Sequence, residues 1–204
     1  MKTQIKQKPI FIAVINQEVC RENASIKIAD FWYSAIEPHH EKCIIDTSNL
    51  KLEDFKDRLS ITVGVYRPSV CIYLCMHGEQ HKDYESLILN KKVSFKDIDF
   101  SNLINSFKID NLFMFNEVCH SGGLIDFIKL DTQLRVTTSK ILIFNTSNKD
   151  DKSALITDGK TSVGLSSRIL YTTRINPFLR PKLAYETLKK YKRTAKVTIL
   201  ENLI

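Results

Sequence analysis

Apolar residues occur in two rhythms along this chain: short unbroken runs, and scattered positions that return every three or four residues. Residues 9–16 (Pro-Ile-Phe-Ile-Ala-Val-Ile-Asn) are an unbroken run of β-branched and aromatic types, the pattern of a strand covered on both faces. It is closed by Asn16, Gln17 and Glu18. Between Asn23 and Ile36 the apolar residues Ile26, Ile28, Ala29, Phe31, Trp32, Ala35 and Ile36 fall at roughly helical spacing, with Pro38 just beyond. That spacing predicts a crossover helix. A short strand over Lys42–Asp46 is followed by Thr47-Ser48-Asn49, and then by a helix over Leu52–Leu59 with acids near its start. Residues Ser69–Met76 form a third strand that runs directly into His77-Gly78. The stretch Tyr84–Val93, with Asn90-Lys91-Lys92 inside it, reads as a small excursion or hairpin.

Helical spacing returns at Phe100, Leu103, Ile104 and Phe107. A long apolar strand, Asn111–Glu117, then ends at Val118-Cys119-His120-Ser121-Gly122-Gly123. The remaining pattern predicts a helix beginning over Leu124–Leu130, a strand over Lys140–Asn145, and helices over Gly164–Thr172 and Arg180–Arg193. Pro181 stands at the start of the last helix, where its fixed φ and missing N–H cost nothing. Strands alternating with helices imply a mostly parallel sheet with helices on both faces, because each parallel crossover needs a covering element. Reactive groups in such sheets collect at the carboxyl ends of the strands. His77 and Cys119 both stand at such ends. Alternation along the third strand places Cys71, Tyr73, Cys75 and His77 on one face and Ile72, Leu74 and Met76 on the other.

Composition narrows the class. With 204 residues, 43% of them hydrophobic, the chain is sized for one domain with a substantial core, and the reading is a single domain over residues 1–204. No run approaches the ~18 apolar residues of a membrane helix, and the polar, Lys-rich start from Met1 to Pro9 does not resemble a secretory signal. The five cysteines, odd in number and without an export signal, point to a reduced, cytoplasmic protein. A net charge of +7 permits contact with nucleic acid, but the basic residues are spread along the chain and interleaved with acids. The one dense run, Lys189, Lys190, Lys192 and Arg193, reads as a solvated helix face and argues against a nucleic-acid partner.

The chemistry lies at the two strand ends. A cysteine nucleophile needs a base that takes its proton and N–H groups that hold the oxyanion. His77 is the candidate base and Cys119 the candidate nucleophile. Gly78, lacking a side chain, and Cys119 are the candidate backbone donors of an oxyanion hole. Ser121-Gly122-Gly123 lets the chain turn sharply after Cys119 into a helix whose positive end favours the thiolate.

The combination of Leu74-Cys75-Met76-His77-Gly78 with Glu117-Val118-Cys119-His120-Ser121-Gly122-Gly123, and with Asn148-Lys149-Asp150-Asp151-Lys152-Ser153-Ala154 after the next strand, resembles the caspase-like cysteine peptidases, metacaspases in particular. The resemblance implies a caspase-like three-layer sandwich around a six-stranded, mostly parallel sheet, with His77 and Cys119 as the catalytic dyad, while the chain itself reads as one domain without a long N-terminal prodomain. It further implies an acyl-enzyme mechanism and an acidic pocket for the residue before the scissile bond. Glu117 stands where metacaspases carry Asp, and it shares a strand face with Cys119. Its charge predicts cleavage after Arg or Lys, with Cys75 beside the pocket and Asp150 or Asp151 adding negative charge. Metacaspases are generally monomeric, so a monomer is expected, although the segment Lys196–Ile204 is an edge through which two subunits could pair. Calcium activates many of them, but Asp150-Asp151 alone assigns no site.

Other chemistries fit less well. Cys71, Cys75 and His77 share a face with a metal-like composition, yet Cys71 and Cys75 are roughly 13 Å apart along a strand, too far to share a zinc ion. No metal or cofactor is expected. Gly159-Lys160-Thr161 lacks the upstream glycine of a phosphate-binding loop. A different class of function, an inactive or weakly active caspase-like module that binds regulatory partners, uses the same fold without the reaction.

Overall fold

The computed structural model describes residues 8–16, 24–36, 40–118, 140–146, 155–157, 162–190 and 196–201. The strands are β1 (Ile10–Ile15), β2 (Glu41–Asp46), β3 (Arg67–Cys75), β4 (His77–Gln80), β5 (Glu85–Asn90), β6 (Val93–Lys96), β7 (Ile109–Glu117), β8 (Lys140–Asn145), β9 (Leu155–Thr157), β10 (Ser162–Gly164) and β11 (Lys196–Glu201). The helices are α1 (Ala24–Ala35), α2 (Leu52–Val63), α3 (Asp97–Asn105), α4 (Leu165–Thr172) and α5 (Pro181–Lys190).

Six strands form the main sheet in the order β11-β8-β7-β3-β1-β2. The first five strands in chain order to enter it run parallel, and β11 joins antiparallel to β8 at one edge. The apolar runs occupy the middle. All six residues of β1 are buried, whereas β2, at the other edge, exposes Glu41 and Lys42, charges that discourage further strand pairing.

Strand alternation divides the interior into two cores. Ile72, Leu74 and Met76 join Ile10, Ile12 and Val14 against Phe55, Leu59 and Val63 of α2 and Phe100 and Ile104 of α3. Cys71, Tyr73 and Cys75 join Phe11, Ala13 and Ile15 against Ile28, Ala29 and Trp32 of α1, Leu170 of α4, and Ala184 and Leu188 of α5. Helices therefore cover both faces of the sheet, as the alternating pattern predicts. Trp32 is the centre of the second core, meeting Tyr73 and Phe115 edge-on at ring-centroid distances of 4.8 and 4.9 Å, a favoured aromatic geometry.

Several boundaries differ from the sequence reading for local reasons. Helix α2 continues past Leu59 to Val63 because Val63 extends the buried i, i+4, i+8 stripe begun by Phe55. It stops at Gly64, whose φ of 74° is open to glycine at little cost. The excursion after His77 is a three-stranded antiparallel sheet, β4-β5-β6, with the turn at Lys91-Lys92. A β9–β10 hairpin precedes α4. The helix expected over Leu124–Leu130 lies outside the described residues, as do Lys192 and Arg193 of the basic run. Lys189 and Lys190 lie exposed in the last turn of α5, where positive charge suits the helix dipole. Among the described residues, no helix is long and apolar enough to cross a membrane.

Candidate active site

The parallel pairing of β3 with β7 sets Cys75 beside Glu117, so the two strands finish level at the carboxyl edge of the sheet. From Cys75 the chain passes through buried Met76 to His77, which is exposed and opens β4. Half-buried Gly78 follows it. From Glu117 the chain reaches buried Val118, the residue before Cys119. Cys119, Asp150 and Asp151 lie outside the described residues; of the other predicted site residues, Cys75 stands beside Glu117 in register, and His77 and Gly78 follow Cys75 in the chain at the start of β4.

His77 is carried by the small antiparallel sheet, where it pairs with Ile88, and Gly78 pairs with Leu87. That sheet is fastened to the main one by a buried polar cluster. Asn16, the first residue after β1, donates its backbone N–H to the Cys75 carbonyl at 3.1 Å and its side-chain amide to the Leu89 carbonyl at 2.8 Å. Thr47, the first residue after β2, donates its hydroxyl to the same Leu89 carbonyl at 2.6 Å. Asn90 returns the contact, its amide donating to the carbonyls of Thr47 at 3.0 Å and Leu50 at 2.8 Å. The β5–β6 register skips at Leu89, and a bulge of this kind re-aims backbone groups out of the ladder. Asn16 and Thr47 read in the sequence only as polar residues that end strands. Their position directly after apolar runs was the available signal, since a polar side chain at a carboxyl edge can reach the neighbouring loops.

Glu117 is buried, 3% exposed, and its carboxylate sits against the first turn of α4. The Ser167 N–H donates to Oε1 at 2.9 Å, the Ser167 hydroxyl donates to Oε2, and the Tyr73 hydroxyl donates to Oε2 at 3.3 Å. Burial pushes the carboxyl above the usual carboxylate range, while hydrogen bonds from Ser167, Tyr73 and the Ser166 backbone pull it back. None of the ion pairs among the described residues involves Glu117. Among the described residues the charged form is thus favoured by neutral dipoles alone, against the burial that opposes it. Sequence placed Glu117 on the correct strand but carried no sign of Ser167, which lies 50 residues away in an element whose docking only the fold determines.

Among the described residues, Cys43 is half-buried and Cys71 and Cys75 are buried. Cys75 lies within the core, 2% exposed, next to Glu117 in register. Burial pushes the Cys71 thiol up to about 12, so Cys71 is a core thiol and no nucleophile at neutral pH. His81 stacks on Tyr84 at 4.3 Å between ring centroids and hydrogen-bonds Ser86 Oγ at 3.1 Å. Those contacts make it a brace of the β4–β5 connection. Among the described residues, no three His, Cys, Asp or Glu side chains stand together as metal ligands would. No protein-family model matches the chain, and no curated protein matches it either.

Proposed function

We propose that this protein is a cysteine endopeptidase of caspase-like architecture, with Cys119 as nucleophile and His77 as general base. The observation that carries the reading is the level finish of β3 and β7, with Cys75 and Glu117 in register, because it leads an exposed imidazole and the chain entering Cys119 to one edge of the sheet. The order β11-β8-β7-β3-β1-β2 with a single antiparallel edge strand is compatible with the caspase-like sandwich that the motifs resemble.

In this mechanism His77 takes the proton of Cys119, and the thiolate attacks the peptide carbonyl while backbone N–H groups of Gly78 and Cys119 hold the oxyanion. The imidazolium then gives its proton to the leaving amine, and the thioester is hydrolysed by a water molecule that His77 deprotonates. Glu117 supplies an acid beneath the site, with neutral donors and, among the described residues, no cation against it, which supports cleavage after Arg or Lys, with Asp150 or Asp151 as further acids. The enzyme acts as a monomer in a reducing cytoplasm on peptide or protein substrates, and requires no metal or cofactor for the chemistry.

The test is hydrolysis of fluorogenic peptides ending in Arg or Lys by wild type and Cys119→Ala, with mass mapping of an Arg-based chloromethyl ketone adduct. Turnover lost in the variant and an adduct on Cys119 are expected. Equal signals from the two proteins and no adduct would place the chain among non-catalytic binding modules. Turnover confined to Asp or Asn substrates would overturn the role of Glu117 while keeping the dyad.

A further inference from the structure

The Glu117 site contains more apparatus than a pocket acid requires. A carboxylate in water is solvated without help, whereas one 3% exposed ionises only where donors replace that water. Three donated hydrogen bonds converge on Glu117 from two elements that are distant in sequence, β3 through Tyr73 and α4 through Ser167. Ser167 is the third residue of α4, so its N–H belongs to the first turn, whose N–H groups have no partner inside the helix and favour an anion. The Tyr73 hydroxyl also lies 3.3 Å from Ser167 Oγ, so the three side chains close into one ring of contacts.

Among the described residues, the surroundings otherwise contain little that could set the charge. On β3 the neighbours are Tyr73 and Cys75. On the far side the strand end at Thr146 is neutral and donates its N–H to the Asn116 carbonyl. On α4 the adjacent Ser166 is buried and neutral, and the next residue, Arg168, is exposed and makes no ion pair with Glu117. Among the described residues, the ionisation of Glu117 is thus opposed by burial and favoured by hydroxyl and amide dipoles, with no counter-charge beside it.

We propose that Ser167 and Tyr73 are specificity-determining positioning residues: their hydroxyls favour the charged form of Glu117 against the burial that opposes it and fix its direction, so that a cationic substrate side chain meets an oriented carboxylate. The proposal rests on the peptidase reading above and deepens it. A basic substrate side chain gains from the ionised form only, whereas an uncharged side chain is indifferent to it. Losing one charge-directed hydroxyl therefore lowers kcat/KM for an Arg peptide by about tenfold and leaves an uncharged peptide nearly unaffected.

The experiment has two arms. In the first, carboxyl-¹³C-labelled glutamate is followed by NMR from pH 4 to 9 in wild type, Ser167→Ala, Tyr73→Phe and Ser167→Thr, with Glu117→Gln identifying the signal. The expected result is a higher titration midpoint in Ser167→Ala and Tyr73→Phe, and a return toward wild type in Ser167→Thr, which keeps the hydroxyl and shows that a shift is not mere misfolding. In the second arm, kcat/KM is measured against pH for matched Arg and uncharged peptides. The Arg preference should fall in the two hydroxyl-deleting variants and recover in Ser167→Thr. Unmoved midpoints, or moved midpoints with an unchanged Arg preference in an active enzyme, would overturn the proposal and leave the peptidase reading standing. Absence of cleavage by wild type would instead refute the peptidase reading and this role with it, a result separable from the first because the NMR arm needs no turnover.

Discussion

The Leu89 carbonyl offers the sharpest test of how the histidine is held in place. It accepts hydrogen bonds from two side chains that belong to different strand ends, the Asn16 amide at 2.8 Å and the Thr47 hydroxyl at 2.6 Å, and both donors are buried, at 1% and 0% exposed. Removing either alone leaves the carbonyl with one of these partners, so Asn16→Ala and Thr47→Val should each cost about 1 to 1.5 kcal/mol, the net worth of one buried hydrogen bond. Removing both strands a buried acceptor, which adds a desolvation penalty of about 1 to 3 kcal/mol. The double variant should then lose about 3 to 6 kcal/mol, and the excess over the two single losses is the coupling energy. Urea unfolding followed by circular dichroism resolves this, because with a slope of about 2 kcal/mol per molar each kcal/mol moves the midpoint by about 0.5 M. Amide exchange gives a second reading: in the double variant the amides of residues 77–90 should open faster than the main sheet, since Ile88, the partner of His77, adjoins the released carbonyl. If the two substitutions add to within about 0.5 kcal/mol, Leu89 does not depend on this pair of donors and the fastening proposed for the His77 sheet is wrong.

Three further outcomes follow from buried charge. Because the carboxyl of Glu117 is raised in the folded protein, the native state holds its proton to higher pH than the unfolded chain, whose glutamate titrates near about 4.3. Its contribution is complete below that value and is lost as pH rises through the folded one, so wild type should lose stability relative to Glu117→Gln as pH rises above about 4.3, as read by thermal melts at successive pH values. Arg67, 7% exposed, donates to the carbonyls of Val63, Lys8 and Thr62 and to Glu41 Oε2 at 2.8 to 3.0 Å. A lysine ammonium cannot span that fork, so Arg67→Lys should cost about 2 to 3 kcal/mol, whereas Glu41→Gln, at the half-exposed end of the pair, should cost under about 1 kcal/mol, both by urea titration. Cys71 should resist iodoacetamide at pH 8 in the folded protein and react at the rate of unfolding, as peptide mass mapping would show, since burial both hides it and holds it as a thiol.

Much of the architecture was legible in the one-dimensional pattern. The apolar runs read over residues 9–16 and Asn111–Glu117 became the central strands β1 and β7, and Ile28, Ala29 and Trp32 became the buried side of α1, with Ile36 buried just past its end, because burial periodicity is a local property that side-chain chemistry writes directly into the chain. The face assignment of Cys71, Tyr73 and Cys75 against Ile72, Leu74 and Met76 followed from the same rule. The boundaries of α2 and the three-stranded sheet after His77 were less visible, since short amphipathic segments balance several local preferences and packing decides among them.

The sequence by itself determined which apolar runs and stripes would be buried, in what order the parallel strands of the main sheet and their covering helices would come, and that Glu117 would stand where a strand ends. Tertiary structure alone decided that β3 and β7 are neighbours with Cys75 level with Glu117, that Asn16 and Thr47 share one carbonyl of β5, and that Ser167 caps Glu117. The reason is the range of the forces involved: backbone preference and amphipathic spacing act over a few residues, whereas a hydrogen bond between distant segments exists only after the hydrophobic layers have closed and set the distance between them.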